Sequence, residues 1–217
     1  MSVKGAIFDL DGVIVNTVPL HFKAWQKMFE GYGHKFTMAD YLAKVDGRPR
    51  LEGAAAILTE LDQEEIKKAG DIKQNYYLEL LDGDPIEIFD SSVKIVKELK
   101  ARGVKLAAAS SSKNAVRILK KINLYDIFDA NVSGADFEKG KPDPEIFLTA
   151  ASRLKVSPKE SVVFEDAKSG VEAALRGGFY CVGIDRHNNP EALKGATILV
   201  NDLSELGLEN IININDK

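Results

Sequence analysis

Six short runs rich in apolar and β-forming residues recur along the chain with helix-like patterns between them: Ala6 to Phe8, Val104 to Ala109, Ala130 to Val132, Ser161 to Phe164, Tyr180 to Ile184 and Thr197 to Val200. This alternation predicts an α/β fold, a Rossmann-like parallel sheet whose strands are joined by crossover helices. One interval is anomalous. About 95 residues separate the first two runs, far more than a crossover needs, and Leu20 to Leu81 reads as mostly helical. The expectation is an α-helical domain inserted over residues 16–85, with residues 1–15 and 86–217 forming the core. Asn16-Thr17-Val18-Pro19 would be the entry and the turn-rich Asp82-Gly83-Asp84-Pro85 the exit, two connections that can act as hinges. Inside the insert, His21, Ala24, Trp25, Met28 and Phe29 have the spacing of a core-facing helix, which makes Trp25 a packing residue. A return helix begins at Ser91-Ser92-Val93 and stops at Gly103, and Leu203 to Lys217 reads as a short helix with an ill-defined end.

In open α/β sheets ligands bind beyond the carboxyl ends of the strands, and here those positions carry reactive groups. Asp9 and Asp11 follow the first run; residues i and i+2 of extended chain point the same way, so both can face one small volume. Two such charges ~4 Å apart repel by roughly 4 kcal/mol at an effective dielectric near 20, so the pair needs a cation or a shared proton. After the second run comes Ser110-Ser111-Ser112-Lys113-Asn114, after the third Lys141 in Gly140-Lys141-Pro142-Asp143-Pro144, and after the fourth Glu165-Asp166. Oxygen ligands for Mg²⁺, a hydroxyl and helix start for phosphate oxygens, and a lysine against the charge on the equatorial oxygens are what phosphoryl transfer requires.

Composition narrows the partners. The 217 residues include 29 basic and 33 acidic ones, a net charge of −4, with no basic stripe to track a nucleic-acid backbone. The single Cys181 lies in an apolar run and reads as a buried, inert thiol. The start Met1-Ser2-Val3-Lys4 leads directly into the first strand, and no run approaches membrane-spanning length. The expectation is a cytoplasmic protein with no membrane and no nucleic-acid partner, for which a monomer suffices.

Asp9-Leu10-Asp11-Gly12-Val13, Ser110, Lys141 with Pro142, and Glu165-Asp166 resemble, in order and across the whole core, the four motifs of the haloacid dehalogenase superfamily, and the insert is similar to that family's α-helical cap of the first type. Thr17, His21, Trp25, the segment Gly47 to Arg50, Lys73, the loop Ser110 to Asn114 and Phe164-Glu165-Asp166 resemble its β-phosphoglucomutase-like branch. The resemblance implies that Asp9 is a nucleophile forming an aspartyl phosphate and Asp11 the general acid and base. It implies Mg²⁺ among Asp9, the Asp11 backbone carbonyl and Asp166, with Glu165 nearby, and Ser110 and Lys141 holding the transferring phosphoryl group. Cap residues Thr17, His21, Gly47, Arg48, Arg50 and Lys73, with Ser112, Lys113 and Asn114, would bind substrate, Arg50 clamping a distal phosphate. Asp46 and Pro49 depart from the mutase pattern, which has lysine and a small polar residue there. The implied activity is β-phosphoglucomutase, converting β-glucose 1-phosphate to glucose 6-phosphate. The alternatives are a phosphosugar phosphatase and, from another class, a non-catalytic phosphate-binding module, against which the long insert argues.

Overall fold

Every residue of Gly5–Phe8 (β1) is buried, a state that a strand reaches where both faces of its sheet are covered. Two two-residue strands, Val15–Asn16 (β2) and Glu87–Ile88 (β3), pair antiparallel as a separate ribbon, with Val15 opposite Ile88 and Asn16 opposite Glu87. The remaining strands are Lys105–Ala109 (β4), Ala130–Val132 (β5), Ser161–Glu165 (β6), Tyr180–Ile184 (β7) and Ile198–Val200 (β8). With β1 they form a six-stranded parallel sheet in the order β5-β4-β1-β6-β7-β8. Counted by chain order within this sheet, that is 3-2-1-4-5-6, the doubly wound order whose ligand crevice opens where the winding reverses, between β1 and β6. Each of the six expected runs supplies a strand, displaced by no more than one residue at either end. The ribbon was not expected. The structure, a computed structural model, describes residues 2–46, 48–186 and 188–216.

The chain divides into Met1–Asn16 with Glu87–Lys217, and Thr17–Ile86. The second unit contains Val18–Gly31 (α1), Met38–Asp40 (α2), Arg50–Ala55 (α3) and Gln63–Gly83 (α4). On α1, Leu20, Ala24, Trp25, Met28 and Phe29 are buried, and the last three join Phe36, Tyr41, Val45, Leu58 and Ile66 in the core of the unit. α4 starts on a capping box: the Glu65 amide donates to Asp62 Oδ1 at 2.9 Å and the Asp62 amide to Glu65 Oε2 at 3.3 Å, reciprocally satisfying donors that a helix start leaves open. Its buried stripe, Ile66, Ala69, Gly70, Lys73, Tyr77 and Leu81, follows the helical period. Because Leu81 still lies on that stripe, the helix runs through Asp82 and Gly83, and the exit turn begins at Asp84 rather than at Asp82. Between α2 and α3 the expected helix is wider than α over Tyr41–Val45, a π segment closed by the Asp46 amide on the Tyr41 carbonyl.

In the first unit, Asp90–Ala101 (α5), Ala115–Lys121 (α6), Glu145–Leu154 (α7), Lys168–Arg176 (α8) and Leu208–Ile212 (α9) accompany the sheet. One packed layer gathers Ile7, Ala107, Val163 and Cys181 from four strands against Phe147, Ala150 and Val171 from α7 and α8. Burial pushes the Cys181 thiol well above its ordinary range, so it is not a reactive thiolate. Among the described residues no helix is long and apolar enough to cross a membrane.

The α4 stripe includes an amine. Lys73 is 3% exposed, its Nζ 2.8 Å from His21 Nδ1 and over the Trp25 and Tyr77 rings. Burial, aided by the Arg50 charge, brings it down to about 7. Folding therefore expels a proton between pH ~7 and the ordinary lysine range, and over that window stability rises with pH because the unfolded chain binds more protons. Replacing Lys73 by Met removes this slope. In melting experiments the difference in Tm, Lys73→Met minus parent, should be more positive at pH 7 than at pH 9.5; a constant difference would show that Lys73 keeps its charge when buried.

Candidate active site

The first acidic residue is fixed by the sheet itself. The Asp9 amide donates to the Phe164 carbonyl at 3.0 Å, continuing the β1–β6 ladder one residue past the strand, while the Phe8 and Phe164 rings stack 4.2 Å apart beneath it. Ser110 is held likewise on the other side of β1, its amide donating to the Val132 carbonyl at 3.0 Å. Glu165 is the last residue of β6 and 1% exposed. Parallel pairing thus brings the three residues to one edge at the switch point.

Lys141 reaches this edge from the loop before α7. Its Nζ donates to Asp9 Oδ1 at 2.6 Å and to Glu165 Oε1. The loop is shaped by Glu145, whose carboxylate accepts from the amides of Glu138 and Lys139 at 3.0 and 2.9 Å, and by Asp143, which accepts from the Glu145 amide at 3.0 Å. Ser110 Oγ donates to Asp11 Oδ2 over 3.5 Å and accepts from the Ser112 amide at 3.0 Å. Ser112 Oγ in turn accepts from the Asn114 amide at 3.1 Å, and Lys113 is exposed. The structure therefore gathers Asp9, Asp11, Ser110, Lys141, Glu165 and Asp166 at one end of the sheet, with Ser112, Lys113 and Asn114 on the loop that continues from Ser110.

Electrostatically the edge carries more negative charge than it neutralises. Burial pushes the Asp9 carboxyl up to about 7; the Lys141 cation opposes this, and the charges of Glu165 and Asp11 add to it. Burial, Glu165 and Asp9 hold Asp166 well above the usual carboxylate range. For Lys141 burial works against the cation, but Asp9 and Glu165 outweigh it, so its ammonium is held firmly charged. One lysine among four carboxylates leaves a site suited to a further cation, and the donors are hard oxygens, which fit Mg²⁺. Among the described residues no three acidic, histidine or cysteine side chains form a ready cage. Mg²⁺ usually keeps several waters and uses one or two carboxylates together with substrate phosphate, so the donor set fits an ion that completes its shell that way.

Two glycines make room for the acidic pair. A Cβ on Gly12, whose φ is +78°, would lie 1.8 Å from Asp166 Oδ2, and one on Gly170 of α8 would lie 1.8 Å from Glu165 Oε1. Glu165 Oε2 accepts from the Ala167 amide at 2.7 Å. Sequence reasoning assigned no role to Gly170 or Glu145; a glycine four residues past an acidic pair was the available signal for the first.

The cap residues are described within their own unit. Thr17 is buried just before α1, and His21, half-buried, stacks on Tyr77 with ring centroids 4.1 Å apart. Loss of solvation and the Lys73 charge hold its imidazole well below the usual histidine range. A neutral ring leaves Nδ1 free to accept from the Lys73 ammonium. Arg50 Nη2 donates to Asp71 Oδ1 at 3.2 Å, and Arg48 is exposed. Gly47 lies outside the described residues.

Comparison with known proteins bears on the family and the fold. Residues 6–184 match the family model described as haloacid dehalogenase-like hydrolase. The chain is 34% identical over 215 residues to a β-phosphoglucomutase of Bacillus subtilis (strain 168), covering 95% of this chain and 93% of the relative. It is 36% identical over 183 residues to a phosphorylated carbohydrates phosphatase of Thermotoga maritima, covering 81% and 82%. The crystal structure of a β-phosphoglucomutase from Clostridium difficile superposes with a TM-score of 0.83 at 30% identity, covering 99% of this chain and 97% of that one. The chain is thus an enzyme of the phosphotransferase and hydrolase kind, and it belongs to the haloacid dehalogenase superfamily, in the β-phosphoglucomutase-like branch.

Proposed function

We propose that the chain transfers a phosphoryl group to and from a small phosphosugar through an aspartyl phosphate on Asp9, acting as a β-phosphoglucomutase. The observation that carries this reading is the placement of Lys141 between Asp9 and Glu165 at the sheet's switch point, with Ser110 and Asp11 alongside. A carboxylate with a fixed ammonium on one oxygen keeps the other for attack, and the same ammonium faces the charge that gathers on the equatorial phosphoryl oxygens.

In the first half-reaction an Asp9 oxygen bonds to phosphorus as the bond from phosphorus to the sugar oxygen breaks, and Asp11 gives that oxygen its proton. In the second, a hydroxyl of the sugar phosphate gives its proton to Asp11 and attacks phosphorus, returning Asp9 as a carboxylate. Ser110, oriented by the Ser112 amide, donates to a phosphoryl oxygen. Asp9 and Asp166, with the Asp11 backbone carbonyl, would hold Mg²⁺, which when bound offsets the repulsion between the carboxylates and a phosphate dianion. Within the cap, Arg50 would supply the distal phosphate clamp, with Thr17, His21, Arg48 and Lys73 as the further substrate-binding residues that the family resemblance implies.

The phosphosugar phosphatase reading is favoured by one feature, the pairing of Arg50 with Asp71. That partner already takes part of the charge a distal phosphate would use. Water then competes with a sugar hydroxyl for the aspartyl phosphate.

Asp9→Asn removes the nucleophile with little change of volume. It should abolish transfer while circular dichroism stays that of the parent; substantial turnover would exclude Asp9. Asp11→Asn should slow transfer by roughly 10² to 10⁴ in kcat, the usual cost of losing a general acid and base, and an unchanged rate would remove that role. Phosphorus NMR with β-glucose 1-phosphate and catalytic β-glucose 1,6-bisphosphate separates the two activities: glucose 6-phosphate without inorganic phosphate is the expected result, whereas accumulation of inorganic phosphate would establish the phosphatase.

A further inference from the structure

Arg186, two residues past β7, is a cation that the chemistry above does not use. Its side chain is 15% exposed. Nε donates to the Gly12 carbonyl at 3.0 Å, Nη1 donates to Asp202 Oδ2 at 2.9 Å, and the guanidinium carbon lies 3.9 Å from the centre of the Phe89 ring. Asp202 Oδ2 also accepts from Ser91 Oγ at 2.9 Å. Burial opposes the Asp202 anion, but the bonds from Ser204, Arg186 and Ser91 outweigh it and keep the carboxylate charged. One side chain thus joins the turn after β1, the chain returning from β3 into α5, and the loop after β8.

As packing alone, this is a costly arrangement. Nη2 is buried without a hydrogen-bond partner among the described residues, and such a donor loses its solvation uncompensated. Besides the Asp202 carboxylate, the guanidinium holds one peptide carbonyl. Gly12 follows Asp11 directly, and its α-carbon lies so close to the Asp166 carboxylate that no Cβ could fit. The Gly12 amide donates to the Val15 carbonyl at 2.8 Å, and the Ile14 and Val15 amides both donate to the Leu10 carbonyl. Those bonds close the turn upon itself. The Arg186 bond to the Gly12 carbonyl ties the turn to a different part of the core.

We propose that Arg186 is a positioning residue for phosphoryl transfer, fixing the Gly12 peptide and through it the placement of Asp11 and Asp166, and tying together the two chains at the Val15–Ile88 end of the ribbon. The inference rests on the phosphoryl-transfer reading of the site. It assigns no contact with substrate to Arg186. Its effect falls on the geometry of acid, metal-binding carboxylate and nucleophile, where small displacements are expensive in rate.

Arg186→Lys keeps the charge and the alkyl stem but cannot present two directed N–H groups and a flat face together. With p-nitrophenyl phosphate, which has no sugar, kcat should fall by about 10- to 100-fold with KM changed by less than about threefold. The Tm should stay within a few degrees of the parent, and in Arg186→Ala millimolar guanidinium should restore part of kcat. A purely stabilising role would lower Tm and leave kcat alone. Should Arg186→Ala not fold, the lysine variant decides: a folded Arg186→Lys with kcat within about twofold of the parent overturns the inference. A parent that turns over no phosphate ester would instead count against phosphoryl transfer itself.

Discussion

The confinement of Asp9, Glu165, Asp166 and Asp11 around a single ammonium at the end of three adjoining parallel strands is the condition on which the rest of this structure depends. Burial and mutual repulsion would drive these carboxylates to separate or take up protons, and the upward displacement of Asp9 and Asp166 records both. The fold opposes it with rigid backbone. Asp9 and Ser110 continue the hydrogen-bond ladders of β1 and β4 beyond the strands, Glu165 ends a wholly buried one, and the Phe8 and Phe164 rings stack under the pair. Charge concentrated in this way is poised for whatever brings positive charge and removes negative, which is the electrostatic demand of transferring a phosphoryl group.

The glycines and the arginine show how such a cluster is tolerated. Gly12 and Gly170 stand where any side chain would collide with an acidic partner. Their role is spatial: they let backbone approach a carboxylate closely and so narrow its freedom without adding a hydrogen bond. Arg186 works from farther away, and its connections run to carbonyl, carboxylate and ring in three different segments.

Much of this was legible in the sequence, for identifiable reasons. Short apolar runs fix strands because burial on a sheet tolerates few other residue types, and their alternation with helices makes the sheet parallel, while the 3-2-1-4-5-6 order is visible only in the pairing. Asp9 and Asp11 alone are weak evidence, since an aspartate after a strand often caps the next turn; they stand out through their conjunction with Ser110, Lys141 and Glu165-Asp166 after the other strands. The ribbon of β2 and β3 was invisible, since two residues are too few to establish a period. The π segment at Tyr41–Val45, which buries Tyr41 and Val45 within the cap, was equally hidden. The resemblance marks Lys73 as a substrate-binding residue, but its burial shows only when the α4 stripe is traced through it. Arg186 had no signal, because its three partners lie 174, 97 and 16 residues away along the chain.

The antiparallel pairing of Val15–Asn16 with Glu87–Ile88 means that the outgoing and returning chains stand side by side, with Asn16 directly opposite Glu87. Whatever occupies the intervening 70 residues is spliced at a junction one strand spacing wide. Such a junction is a socket: a different cassette with adjacent ends could be fitted there while the sheet kept its register. Selectivity for a sugar and the machinery for handling phosphate would then be separately replaceable parts of one polypeptide.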